Sequence, residues 1–276
     1  MEKNEPFVSV VMPLFNAEGT VKKAIESILN QTLKNFELVI VNDASKDKTL
    51  SLVRSYMQKD SRIKLINNKH NLKIATSLNI GVATASADTI ARMDGDDTSH
   101  PERLRLQYLF LKKHPDVAIV GSNISIVDKK GKEVWKRVYP TNSKDSKKVM
   151  FKYSPFAHPT VMFRKKVFEE SGGYNPKMVP CEDIDLWFRI GAKYDFGNIP
   201  KTLLKYNLSD ISGGQYDIRK TELLGFKIKM NAIKKLGFIP SFYDIAYNLL
   251  EFISLWLMPG DLRVRLYNTL RSHRLI

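Results

Sequence analysis

The sequence predicts an α/β fold with a mostly parallel, doubly wound central sheet, flanking helices and a C-terminal helical extension. Three observations lead there. Short valine- and isoleucine-rich runs, apolar on both faces, recur along the first half, each followed by a segment with apolar residues at helical spacing. Several of these runs stop abruptly in polar, turn-forming residues. From about residue 216 the composition shifts, and Lys and Arg alternate with apolar residues at helical spacing. Strand–helix alternation buries a parallel sheet beneath helices on both faces.

In chain order, residues 7–14 are the first strand, stopping at Pro13-Leu14-Phe15-Asn16. A helix follows, with Val21, Ala24, Ile25, Ile28 and Leu29 on one face. Residues 36–41 are the second strand, ending in Asn42-Asp43-Ala44-Ser45, and Leu50, Val53 and Met57 mark the second helix. A short strand is expected over 63–66, a small-residue helix over 74–83, a fourth strand over 89–93 and a helix over 101–113. After His114-Pro115 the pattern changes. Residues 117–127 and 133–138 read as a hairpin joined at Asp128-Lys129-Lys130-Gly131. Residues 139–148 are polar and read as a mobile loop, 160–163 as a strand, and 164–171 as a short helix ending at Gly172-Gly173. Ile184, Trp187 and Phe188 share the face of a later helix. Residues 196–206 mix apolar and polar side chains without a clear period, before a break at Ser212-Gly213-Gly214.

Bulk properties narrow the function. At 276 residues and 43% hydrophobic, the chain can bury a sizeable core. Its one cysteine, Cys181, excludes an internal disulfide and a cysteine-based zinc site, and fits a reducing compartment. A net charge of +15 favours polyanionic or phosphate-bearing partners. No nucleic-acid-binding motif or aromatic stacking platform accompanies that charge, so nucleic acid is not assigned as a partner. The polar first six residues lack the marks of a signal peptide, and no apolar run reaches the roughly 18 residues of a membrane span. A cytoplasmic location is expected.

In doubly wound sheets, ligands bind beyond the carboxyl ends of the strands. Three polar stretches fall on that edge: 13–16, 42–45 and 94–97. In the last, Asp94, Asp96 and Asp97 crowd together, with Gly95 allowing the turn. Such carboxylates are tolerable if solvated or if a hard cation such as Mg2+ or Mn2+ joins them to a substrate phosphate. They also fit a plain acidic loop before a helix with Pro101 in its first turn. Asp43 suits a base that carries a ring N–H, or an Asx turn. Phe15 suits base stacking or the core. Arg92 and Lys73 fall near the expected phosphate rim. Glu182 and Asp183 open a helix, as N-terminal stabilisers or as a general base for an alcohol nucleophile. His158 reads as structural or as a rim residue.

Four stretches together carry a resemblance. VSVVMPLFN (8–16), VIVND (39–43), ARMDGDD (91–97) and EDIDLWFR (182–189) are similar, in order and spacing, to family 2 glycosyltransferases of the GT-A fold, bacterial cell-envelope polysaccharide type. The resemblance covers roughly residues 7–210. It implies a nucleotide-sugar donor, with a UDP-sugar as the first choice, a divalent metal (Mn2+ or Mg2+), and inverting, single-displacement transfer to an acceptor hydroxyl. Residue by residue, Pro13, Phe15 and Asn16 match the first donor-binding loop, and Asp43 matches the acid that reads the base. Arg92, Asp94 and Gly95 fall in the donor-binding stretch. Asp94 and Asp96 match the Asp-x-Asp motif, with Asp96 the direct metal contact. Asp183, beside Glu182, matches the catalytic base. Two departures stand out: Lys73 occupies a position where many members have Gly, and residues 206–210 lack the Arg and His that many carry there.

The expected organisation is a glycosyltransferase domain over 1–215 and a basic amphipathic helical region over 216–276. The donor-binding half of the first covers about 1–115 and the acceptor half about 116–215. The acceptor expected is a glycan or a lipid-linked hydroxyl. The basic helical region fits an anionic membrane surface at the inner face of the cytoplasmic membrane, packing on the catalytic domain, or a homodimer contact. The competing classes are a nucleotide-sugar binder without turnover and, ranked below it, a basic nucleic-acid-binding protein.

Overall fold

In the computed structural model, residues 5–208 and 217–260 are described, together with 262, 263, 266 and 269. Residues 209–210, the 212–214 break and Arg265, Arg271 and Arg274 lie outside them. The strands are β1 (Val8–Leu14), β2 (Phe36–Asn42), β3 (Ile63–Asn67), β4 (Thr89–Arg92), β5 (Thr98–Ser99), β6 (Val117–Val127), β7 (Glu133–Arg137), β8 (Met162–Arg164) and β9 (Asp195–Asn207). The helices are α1 (Val21–Leu29), α2 (Thr49–Met57), α3 (Lys73–Thr84), α4 (Arg103–Lys113), α5 (Ser143–Val149), α6 (Lys165–Glu170), α7 (Glu182–Gly191), α8 (Ile218–Leu236) and α9 (Phe242–Leu257).

The strands form one sheet in the order β3-β2-β1-β4-β8-β6-β9-β5, with β7 on β6. From β3 to β4 every pairing is parallel. Val10, Met12, Leu38 and Ile40 pack on one face against α1 and Val53 of α2. Val11 and Val39 pack on the other against Ala75, Leu78 and Val82 of α3. That two-sided burial is why β1 and β2 carry continuous apolar runs. Gly81 lets α3 settle on β1, because a Cβ there would lie 2.4 Å from a Val11 methyl.

Beyond β4 the sheet becomes mixed. β8 runs antiparallel to both β4 and β6, and β9 lies parallel to β6 with register shifts. Edge-to-face contacts of Phe156 with Trp187 (5.5 Å) and Phe196 (5.2 Å) seat α7 against this half. Residues 143–149, expected within a mobile loop, form α5 instead, with the Asn142 side chain accepting from the Asp145 N–H as its cap. The unassigned stretch around 196–206 is β9, whose last residues pair with the two-residue β5.

The C-terminal helices continue the fold. Ile228 and Ala232 of α8 are buried in the same apolar cluster as Trp187 and Phe188 of α7. Gly237, at φ +75°, ends α8, and a capping box between Ser241 and Asp244 starts α9. Asn248 of α9 donates to the Phe151 carbonyl at 2.9 Å. Among the described residues, no helix is long and apolar enough to cross a membrane.

Candidate active site

The first two loops at the strand ends are laced together. The Asn16 N–H donates to Ser45 Oγ (3.0 Å) and Asn16 Oδ1 accepts from the Lys46 N–H (2.9 Å). The Ala17 N–H donates to Thr49 Oγ1 at 2.7 Å. Asn16, at φ +50°, thus ties the first loop to the second. Pro13 stays in β1, opposite Val41. Phe15 is 43% exposed, leaving its ring free to meet a planar group. The Asp43 carboxylate accepts from the Asn68 amide (2.9 Å) and from the backbone N–H groups of Leu72 (2.8 Å) and Lys73 (2.9 Å). It therefore anchors the loop that enters α3, whatever else it binds. Lys73 sits at φ +68°, which explains structurally why glycine suits this position.

The acidic turn leaves β4 against the first loop. A Cβ on Gly95 would lie 2.1 Å from a Leu14 methyl, so only glycine lets the turn approach this closely. The Gly95 carbonyl accepts from Thr20 Oγ1 at 2.9 Å. From the far side, the end of β9 clasps the same turn. The Asn207 N–H donates to Asp97 Oδ1 (3.0 Å), and its side-chain amide donates to the Asp96 carbonyl (2.9 Å). The carboxylates of Asp94, Asp96 and Asp97 converge, with ligand oxygens within 4.8 Å of one another.

This donor set fits a hard divalent cation. It consists of carboxylate oxygens only, and Asp97 Oδ2 is buried without a hydrogen-bond partner among the described residues. Burial, and then repulsion from Asp94, pushes the Asp96 carboxyl up to about 6. Asp97 rises well above the carboxylate range through burial and repulsion from Asp94 and Asp96. The cluster holds more negative charge than its surroundings neutralise, which a bound cation would relieve.

Glu182 and Asp183 occupy the first turn of α7. Glu182 is 5% exposed, and its Oε2 has no partner among the described residues. Burial, reinforced by Asp183, pushes it up to about 7. Asp183 is half-buried, and its Oδ1 accepts from the Ile184 N–H at 2.7 Å. Burial pushes it up to about 6, against the pull of that N–H and of Arg92. Asp183 is the more accessible acid of the two.

Arg92 joins the two clusters. It is 3% exposed and ion-paired with Asp94. Burial opposes its charge, but the fields of Asp94, Tyr174 and Asp97 hold its guanidinium above the ordinary value. The same cation lowers the carboxyls of Asp96, Glu182 and Asp183. Behind it, His158 Nε2 and the Tyr174 hydroxyl are hydrogen-bonded at 2.8 Å. Burial and then Arg92 hold His158 neutral, so it is part of the wall. Asp97, Tyr174 and Asn207 were not among the expected donor, metal or catalytic residues. Asp97 was legible as a third carboxylate, whereas Tyr174 and Asn207 carry no local signal.

A parallel half-sheet whose strand ends gather carboxylates, faced by an acid pair on a later helix, defines a GT-A transferase. The family model for glycosyl transferase family 2 matches residues 9–172, and the chain belongs to that family. EpsE of Bacillus subtilis (strain 168), named as a glycosyltransferase, is 43% identical over 187 residues, 67% of this chain and 66% of EpsE. The chain therefore spans about two thirds of that relative's length. The O-antigen biosynthesis glycosyltransferase WbnJ of Escherichia coli is 34% identical over 215 residues, 74% of this chain and 81% of WbnJ. Among solved structures, S. aureus TarS 1–349 in complex with UDP-GlcNAc superposes with a TM-score of 0.69 at 18% identity, covering 82% of this chain and 66% of TarS 1–349. That likeness carries the fold.

Proposed function

We propose that this glycosyltransferase moves a sugar from a UDP-sugar to a hydroxyl of a glycan or lipid-linked acceptor, with inversion and with a divalent metal, Mn2+ or Mg2+. The observation that carries this reading is the meeting of the acid triad and the acid pair around Arg92. UDP-GlcNAc bound to the structural neighbour TarS supports the choice of nucleotide. Asp94, Asp96 and Asp97 would hold the cation, with Asp96 the ligand of first choice. When bound, the cation neutralises charge on the diphosphate leaving group. Arg92 fixes Asp94. Phe15 offers a stacking face to the base, and Asp43 holds the loop beside it. Asp183 accepts the acceptor hydroxyl's proton through the oxygen not engaged by Ile184. Buried Glu182, pushed up to about 7, carries a proton part of the time near neutral pH, which limits the repulsion that Asp183 meets.

A panel of UDP-, dTDP- and GDP-sugars with Mn2+, read by nucleotide release and by NMR of the product anomer, tests this. Turnover of a UDP-sugar with inverted product is expected. Tight donor binding without turnover across an acceptor panel would favour the non-catalytic binder instead.

The composition of α9 supports peripheral attachment at the inner face of the cytoplasmic membrane. Its two charged residues, Asp244 and Glu251, turn inward: Asp244 is buried in the capping box and Glu251 pairs with Lys229 at 3.2 Å. Phe242, Ile245, Leu249 and Trp256 stand exposed, and α8 carries Lys and Arg along its length. The full chain should float with phosphatidylglycerol vesicles and detach as salt rises.

A further inference from the structure

Between the first turn of α7, the loop after α5 and the two C-terminal helices lies a cavity of about 1000 Å³, lined by described residues. Met150, Cys181 and Ile184 line it together with Gly225 of α8 and Tyr247 and Ser254 of α9. Of the charged groups that line it, Lys229 pairs with Glu251 and Arg263 with Glu222, and Lys152 is the remaining one. The remaining lining is mainly apolar, which suits hydrocarbon and not a sugar or a nucleotide.

Its position says where the hydrocarbon comes from and where it leads. Leu250, Ile253 and Leu257 line the cavity, yet are 68%, 41% and 77% exposed. The cavity is thus continuous with the apolar outer face of α9 assigned above to the membrane. On the α7 side, Cys181, the residue before the helix, and Ile184 line the cavity and bracket Glu182 and Asp183 in sequence. A chain entering from the bilayer along α9 would end beside the acid that takes the acceptor's proton. Lys152 also lines the cavity, with its ammonium 4.3 Å from the Tyr243 ring centre, and supplies a cation for a phosphate-linked head.

We propose that this cavity holds the hydrocarbon chain of a membrane-borne, phosphate-linked acceptor and delivers its hydroxyl-bearing head to Asp183. The proposal rests on the acceptor reading above and narrows it to the lipid-linked class.

Gly225 provides the test. It lies within α8, and a Cβ built there meets nothing within 4 Å, so Gly225→Trp fills the cavity without a clash at its first carbon. The full chain and this variant are titrated with farnesyl diphosphate and dodecyl phosphate, with inorganic pyrophosphate as control, and separately with UDP and Mn2+. The wild type should bind both chain-bearing probes and the variant at least tenfold more weakly, with UDP binding the same in both. A benzophenone analogue of farnesyl diphosphate should label peptides spanning 221–229 or 247–257 of the wild type, a readout independent of the variant's folding. Chain binding unaffected by Gly225→Trp, or labelling elsewhere, would overturn the proposal. So would no chain binding while UDP still binds, or a dimer that shields the cavity and is not dissociated by the probe. If UDP also fails to bind, the donor reading itself falls.

Discussion

The two acid clusters of the candidate site differ in what they ask for. At the end of β4, three carboxylates converge within 4.8 Å, and one buried oxygen has no partner among the described residues. On α7, one acid is buried and the other is half-exposed, with its first oxygen occupied by the backbone. Burial raises the proton affinity of both sets, so that shift does not distinguish them. Geometry does. Converging oxygens match the coordination sphere of a hard cation, whereas a single accessible oxygen beside a protonated neighbour suits a proton. Arg92 is the cation whose field lowers the carboxyls of both.

The largest effect should come from removing that bridge. Arg92→Met leaves buried acids uncompensated and should cost about 3–5 kcal/mol in metal-free denaturant unfolding. A loss below about 1 kcal/mol would mean that solvent already screens the acids. Next, Asp96→Ala should separate the clusters from the metal side. Wild type should gain about 2.7 kcal/mol of thermal stability at a Mn2+·UDP concentration 100 times its Kd, and the variant almost none. Asp183→Asn should do so from the proton side, lowering kcat about 10²–10⁴-fold with the donor KM unchanged. A parallel rise in KM would make Asp183 a binding residue.

The pH dependence sharpens the contrast further. Because the Asp183 carboxyl is pushed up to about 6, kcat should fall as pH drops through about 6. For stability the sign is opposite. A raised carboxyl means that the folded state disfavours the charge, so the penalty is absent below the unfolded group's ordinary value and complete above the folded one. Glu182→Gln should therefore stabilise the protein by about 1–3 kcal/mol at pH 8. That gain should shrink as pH falls through about 7, where Glu182 takes up its proton. The smallest effect is Lys73→Gly. It relieves a left-handed residue but loosens the unfolded chain, so its net gain should be about 1 kcal/mol or less.

The same contrast runs through what the sequence made legible. β1 and β2 announced themselves because both faces are buried and most of their residues are apolar, Ser9, Glu37 and Asn42 excepted. β9 did not, because its burial alternates irregularly around Pro200 and Lys201 and its register with β6 shifts. The seven residues of α5 bury only Ser146, so they present no apolar stripe to find. In the candidate site, Asp94 and Asp96 were readable because they cluster in sequence. Asn207 was not: it reaches the acidic turn from more than a hundred residues away, and nothing near it hints at an acid. Asp43 shows the remaining gap. Its three hydrogen bonds to the loop before α3 come from Asn68, Leu72 and Lys73, and an acid at a strand end carries no mark that separates such a clamp from a base reader.

Calorimetric titration of Mn2+·UDP into wild type, Asp96→Ala and Asp183→Asn, side by side, tests the division of labour most directly. Equal affinity for wild type and Asp183→Asn, with no detectable binding by Asp96→Ala, is the expected result. Binding by Asp96→Ala equal to wild type, or its loss in a folded Asp183→Asn protein, would contradict it.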